Sequence, residues 1–376
     1  MKIAVVKESR QAENRVALTP DVVKLLVKEG FECSIETEAG AASGFHDSLY
    51  EKAGAVIVAG KAILLKDTDV LLKVNAPDIA EVHLLKEGAV SISFLYAYTV
   101  PELVEALLAK KISAFAMDAV PRISRAQKMD ALSSQSNLAG YKAVIMGANA
   151  LRKIFPLLMT AAGTIAPARI LIFGAGVAGL QAVATAKRLG AVVEVTDVRP
   201  ETKEQVESLG GRFLEVRSEG VQTEGGYAKE VSQEYLQKQK ELVSKHVADA
   251  DIVITTALVI GKKAPVLITE EMVKSMKAGS VIVDMAVESG GNCVLSELNA
   301  TVVKHNVTII GESNIPSLVS VNASELYAKN ISTLLLHLAT KDGFRWDMEE
   351  DITKGCLITH NGELIHPFTK EILSKQ

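Results

Sequence analysis

The chain has 376 residues, more than one hydrophobic core usually holds, so two domains are expected. Its residues are 48% hydrophobic and 23% charged, the balance of a packed protein rather than a disordered one. A net charge of -4, with the basic residues spread rather than blocked, leaves no electrostatic footprint for nucleic acid.

The amino terminus MKIAVVKESR turns charged within a few residues and lacks the apolar core of a signal peptide, so the mature protein is expected to begin here. Short β-rich runs then alternate with helical ones: KIAVVKE, PDVVKLLVKEG, ECSIET, DSLYEKAG, DVLLKV, IAEVHLLKEG, AVSISFLY, VPELVEALLAKK and ISAFAMDAV. Such alternation predicts parallel βαβ units. A polar segment, PRISRAQKMDALSSQSNLAG, follows, and a long helical pattern runs from about Asn137 to Ile154.

The alternation restarts with ARILIFGAG, LQAVATAKRLG, VVEVTDV, ETKEQVESLGG, ADIVITTAL, EEMVKSMKAG, SVIVDMAV and NVTIIGE. The apolar stretch around its start is broken by Arg169, several glycines and two prolines, so it reads as strand, turn and helix rather than a membrane span. Residues 317–340 read as a further helix, and CLITHNGELIH as a hairpin turning at Asn361-Gly362. The expectation is an α/β protein with two Rossmann-like doubly wound parallel sheets and a cleft between them. Residues 1–136 plus 317–376 form one domain, and 137–316, with an interdomain helix, the other.

Gly174, Gly176 and Gly179 follow a strand and open a helix, as a dinucleotide fingerprint requires. The first allows a tight turn, the second lets backbone approach a pyrophosphate, and the third lets helix pack on strand. Val177 and Ala178 complete that turn. Asp197 ends the next strand, where a carboxylate accepts hydrogen bonds from an adenosine ribose and repels a 2'-phosphate, which favours NAD. Val198 and Arg199 follow, and the arginine points weakly toward NADP. Thr255, Thr256, Ala257 and Leu258 end a later strand, where they can approach a nicotinamide ribose or pack as ordinary strand ends.

Arg15, before a helix capped by Thr19, and Lys73, at a strand end, are either holders of a carboxylate substrate or surface charges. Arg122, Gln127, Asp130 and Ser133 offer donors and acceptors suited to a carboxamide but little for proton transfer. The bland reading of their segment is a hinge before a helix capped by Ser134 or Ser136. Cys33, Cys293 and Cys356 are widely spaced with no CxxC, so neither a metal site nor a disulfide framework is expected, and a reducing compartment fits.

PRISRAQKMDALSSQSNLAGYKAV, MTAAGTIAPARILIFGAGVAGLQAVATAKRLGAVVEVTDVR, TKEQVESLGG, EGGYAKE, ITTALVIGKKAPVLITEEMV and VIVDMAVESGGNC resemble the NAD(H)-binding component of proton-translocating NAD(P) transhydrogenase, over nearly the whole chain. Alanine dehydrogenase is related and shares ENRVALTP. Its family carries a histidine and an aspartate where this chain has Tyr96 and Glu288, so the acid/base set for alanine oxidation is incomplete. An NAD(H) sensor without catalysis is a further alternative.

The resemblance implies an enzyme of the Si/Re-specific type, passing hydride directly between NADH on this chain and NADP+ on a separate NADP(H)-binding component. It implies that Arg122, Gln127, Asp130 and Ser133 contact the nicotinamide end of NAD(H), and that Tyr227 lies on a mobile loop, eased by Gly225 and Gly226, that closes over the nucleotide. It implies a homodimer, docked as a peripheral subunit beside a transmembrane component that carries protons. The cytoplasmic side of a bacterial membrane fits better than a mitochondrial matrix.

Overall fold

The computed structural model describes residues 1–215, 233–258 and 261–375. They form two units, Met1–Gln135 with Pro316–Gln376, and Ser136–Ile315.

In the first unit the short apolar runs become β1 (Lys2–Val5), β2 (Glu32–Glu36), β3 (Val56–Val58), β4 (Val70–Leu72), β5 (Val90–Ser93) and β6 (Ser113–Ala116), all parallel, in the spatial order 6-5-4-1-2-3. Alternation along a strand sends successive side chains to opposite faces. Ile3 and Val5 accordingly join one apolar cluster with Leu72 and Ile92, while Ala4 and Val6 join another with Leu71 and Ala114. With both faces covered, β4 and β5 are buried at every residue, as in a parallel sheet flanked by helices.

In the second unit β7 (Leu158–Thr160) and β8 (Gly163–Ile165) make an antiparallel hairpin where the sequence predicts strand, turn and helix only. Its apolar residues are exposed, Met159 by 72%. Then come β9 (Arg169–Phe173), β10 (Val192–Thr196), β11 (Arg212–Phe213), β12 (Ile252–Thr255), β13 (Val281–Asp284), β14 (Ala300–Lys304) and β15 (Val307–Gly311), in the order 11-10-9-12-13-15-14. Omitting β14, this is the doubly wound order of a dinucleotide-binding sheet, whose direction of winding reverses between β9 and β12.

Neither sheet is wholly parallel, contrary to the expectation. β14 runs antiparallel to β15 across a turn at His305 and Asn306, both with positive φ. Its half-exposed edge position explains why no long apolar run announces it. The tail, after a small hairpin of β16 (Ala339–Thr340) and β17 (Gly343–Phe344), adds β18 (Leu357–His360) and β19 (Glu363–Leu364) to the first sheet, with β18 antiparallel to β6. Asn361 and Gly362 take φ of 49° and 83° in the β18–β19 turn, the left-handed pair that a two-residue hairpin favours.

The long helix spans Ala131–Ala150, starting six residues before the predicted Asn137 and ending four before Ile154. Its start is set by Asp130, whose carboxylate accepts from the Ser133 N–H (2.9 Å) and hydroxyl (2.6 Å). Ser134, predicted as a cap, instead donates to Ala131 O and Asn330 Oδ1, and Ser136 lies inside the helix. Thr19 stands at the N-cap position of helix Pro20–Lys28 but makes no side-chain cap hydrogen bond; it is buried. No described helix is long and apolar enough to cross a membrane.

Candidate functional site

β9 delivers the chain into Gly174, whose φ of 100° a side-chain-bearing residue rarely adopts. A Cβ there would lie 2.4 Å from the Thr256 hydroxyl, and one on Gly179 only 1.8 Å from Gly174 O. These two glycines are dictated by close packing. Gly176 differs: a Cβ on it would meet nothing within 4 Å. It is the N-cap of helix Val177–Arg188 and provides no side-chain cap. The first N–H groups of that helix have no intrahelical partners, and the space before them is open, which fits an anion such as a pyrophosphate. Val177 is exposed and Ala178 half-buried beside this opening.

Asp197 follows β10 and turns its carboxylate back to the glycine turn, accepting from the Ala175 N–H at 2.6 Å. It also accepts from the Arg199 N–H, Nε and Nη2 at 2.8, 3.0 and 2.9 Å. Burial pushes the Asp197 pKa up, but the hydrogen bonds from Arg199 and from the backbone of Ala175 outweigh it and hold the group below its ordinary value. Arg199, the residue that pointed toward NADP, is thus engaged by the acid that disfavours a 2'-phosphate. Val198 between them is 91% exposed.

The end of β12 divides by residue. Thr255 is fully buried and its hydroxyl donates to Asp284, so its side chain does not face the opening expected of it. Thr256 donates to Phe173 O at 2.9 Å, sealing the fingerprint from the other side of the winding reversal. The Ala257 N–H donates to Asn292 Oδ1, and Leu258 is 59% exposed. The structure therefore gathers Gly174, Gly176, Gly179, Asp197 and Thr256 at the carboxyl ends of β9, β10 and β12. Tyr227, with Gly225 and Gly226, lies outside the described residues.

The polar segment belongs to the first unit. Arg122 and Gln127 are exposed, and Asp130 and Ser133 are half-buried and bonded to each other. A short 3-10 helix, Ser124–Met129, buries Ala126 and Met129 while Asn330 donates to Lys128 O. Neither Arg15 nor Lys73 is a surface charge, being 6% and 1% exposed. Arg15 donates to both oxygens of Glu13 (2.8 and 2.6 Å) and to Gln135 Oε1 (3.0 Å). Lys73 donates to Glu81 at 2.7 Å and lies 3.8 Å from Glu8. Charges this deeply buried require such partners. Tyr96 has a left-handed φ of 44° with its N–H on the Asp118 carboxylate, and Glu288 is exposed in a 3-10 turn.

Three residues near the site escaped sequence reasoning. A Cβ on Gly140 would lie 2.1 Å from Ala178 O, so Gly140 lets the long helix back the fingerprint helix. Asp284 and Asn292 are buried acceptors and donors in VIVDMAVESGGNC. Their only sequence signal is the Gly290-Gly291 pair, both with positive φ. Among the described residues, no group of three His, Cys, Asp or Glu could hold a metal ion.

The family models alanine dehydrogenase/PNT, N-terminal domain, and alanine dehydrogenase/PNT, C-terminal domain, match residues 4–139 and 143–367. The chain belongs to the alanine dehydrogenase/PNT family. Within the family it is 54% identical to the first part of NAD(P) transhydrogenase subunit alpha of Rhodospirillum rubrum, over 98% of each chain. It is 33% identical to alanine dehydrogenase 2 of Staphylococcus aureus, over 92% of this chain and 89% of the relative. The crystal structure of transhydrogenase from Sinorhizobium meliloti superposes with a TM-score of 0.89 at 44% identity, covering 97% of this chain and 100% of that one. An L-alanine dehydrogenase structure gives 0.84 at 28% identity, covering 100% of this chain and 99% of that one.

Proposed function

We propose that this chain is the NAD(H)-binding subunit of a proton-translocating transhydrogenase of the Si/Re-specific type. The observation that carries the reading is the open helix N-terminus at Gly176 with the Asp197 carboxylate beside it, an anion site next to a ribose acceptor. The helix N–H groups receive the pyrophosphate, Asp197 accepts from the adenosine ribose, and the backbone of Thr255, Thr256 and Ala257, with the Leu258 side chain, flanks the nicotinamide side. Bound NADH supplies the hydride from C4 of its dihydronicotinamide.

Hydride exchange between two nicotinamides moves no proton to or from either ring, so the protein has to supply orientation rather than a general base. Arg122, Gln127, Asp130 and Ser133 are suited to that task, holding the nicotinamide end, and Tyr227 covers the nucleotide. NADP(H) is held by a separate component and protons pass through a transmembrane one, with this chain a peripheral subunit on the cytoplasmic side. Exposed Leu158, Met159 and Ile165 on the β7–β8 hairpin support pairing with a second copy as a homodimer.

The persistence of Arg15 and Lys73 favours a second reading, alanine dehydrogenase. Each already faces a carboxylate, and Tyr96 and Glu288 replace that family's acid/base pair, so it ranks below the first. Reconstitution with the NADP(H)-binding and membrane components decides between them. NADH-dependent reduction of NADP+ is expected. Robust alanine-dependent reduction of NAD+ by the isolated chain would overturn the transhydrogenase reading, and nucleotide binding with neither activity would leave a sensor.

A further inference from the structure

Asn292 is fully buried, and its amide is saturated by main chain from two separate places. Oδ1 accepts from the Ala257 N–H at 3.1 Å, while Nδ2 donates to Ala257 O at 2.9 Å and to Pro265 O at 2.8 Å. The orientation of the amide follows from these partners, since the N–H must face the oxygen and the two carbonyls must face the NH2 group. An asparagine thus mimics a backbone strand beside Ala257.

Asn292 is itself fixed. Its own N–H donates to Asp284 Oδ1 at 3.2 Å, and Asp284 also accepts from the Thr255 hydroxyl (3.1 Å), the Ala286 and Cys293 N–H groups (3.0 and 2.9 Å) and the Ser296 hydroxyl (2.6 Å). Gly291 is required where it stands, with φ of 80° and a position that would put a Cβ only 2.8 Å from Asp284 Oδ2. On the other side of Ala257, Thr256 is tied to Phe173 O. The backbone leaving β12 at the winding reversal is therefore anchored on both sides before any ligand arrives.

We propose that Asn292, oriented by Asp284, is a positioning residue that holds the Thr256–Leu258 backbone for the nicotinamide half of the nucleotide. The inference rests on the NAD(H) reading of this unit and assigns a role to a residue outside the fingerprint. Asn292 acts through Ala257 and touches no reacting atom. Its effect is confined to one half of the ligand, because Asp197 and the glycine turn are bonded independently of it.

The test is N292D in the full chain, which keeps the size and the acceptor but, when ionised, loses both donors and turns a carboxylate toward two carbonyls. NADH affinity, read by nucleotide fluorescence, is expected to fall roughly tenfold, about 1.4 kcal/mol. Affinity for ADP, which has no nicotinamide half, is expected to be unchanged. Equal loss of both ligands, or loss of neither, overturns the inference. In the unaltered chain the Ala257 amide is expected to exchange slowly without ligand and more slowly still with NADH but not with ADP. Fast exchange, or no difference between the ligands, overturns it even if the variant does not fold. If the unaltered chain binds neither NADH nor ADP, the nucleotide reading itself fails, an outcome distinct from binding by chain and variant alike.

Discussion

The carboxylate of Asp197 accepts a 2.6 Å hydrogen bond from the N–H of Ala175, 22 residues earlier, and so fastens the end of β10 to the glycine turn. One group thereby shapes the turn and stands as the acidic neighbour of the open helix terminus. Its bonds to Arg199 leave the guanidinium committed to the acid.

Replacing Asp197 by alanine removes both functions. NADH binding is expected to weaken at least tenfold, and NADPH binding to weaken less or improve, because Arg199 is released to meet a 2'-phosphate. Titration of both nucleotides by fluorescence checks this; an unchanged ratio of the two affinities would exclude Asp197 from cofactor choice.

Gly179→Ala places a methyl 1.8 Å from Gly174 O, a backbone atom that cannot yield without moving the strand or the helix. Overpacking of this kind costs about 1–3 kcal/mol or more. Urea unfolding should show the loss, with NADH affinity falling alongside. Gly176→Ala meets open space instead, so it should unfold near the wild-type midpoint while binding nucleotide more weakly.

Asp130 separates capping from chemistry. Asp130→Ala removes the acceptor for the Ser133 N–H and should cost about 1 kcal/mol of stability. Asp130→Asn retains a capping oxygen and should leave stability nearly intact. On the proposed role, Asp130→Asn and Gln127→Asn slow single-turnover hydride transfer with little change in NADH affinity. Wild-type rates in both variants would remove these residues from the mechanism.

Glu13 ties folding to pH. Burial raises its pKa, but the hydrogen bonds and charge of Arg15 outweigh that and bring it from 4.5 down to about 2. Because the folded value is the lower one, the stabilisation is present above about pH 4.5 and is lost as the pH falls toward 2. Glu8 runs the other way: burial raises its pKa despite Lys73, so its contribution favours the folded state at low pH and fades as the pH rises through the folded value. Glu13→Gln should therefore cost on the order of 3 kcal/mol at pH 7, and the deficit should shrink as the pH approaches 2. Urea unfolding at pH 7, 4.5 and 3 measures it; a deficit independent of pH would assign the loss to packing.

Legibility followed the range of the forces involved. The strands that are buried on both faces announce themselves as runs such as VLLK and VIVD, because a covered parallel sheet leaves no polar positions. β14 and the β7–β8 hairpin do not, since one is a half-exposed edge and the other is apolar yet exposed. The start of the long helix is not legible because three serines compete with one aspartate as caps, and packing against helix Ser320–Leu338 draws Ser134 to Asn330.

By itself the sequence determined what sterics and periodicity settle within a few residues: two runs of strand and helix alternation, the left-handed turns at Gly174 and at Asn361-Gly362, and the acid that follows β10. Only the tertiary structure decided which distant groups meet. Arg15 finds Gln135, Lys73 finds Glu81, and Asn292 grips Ala257 because burial obliges each polar group to find a partner. Chain folding then chooses among many partners of equal chemistry, and no local pattern records that choice.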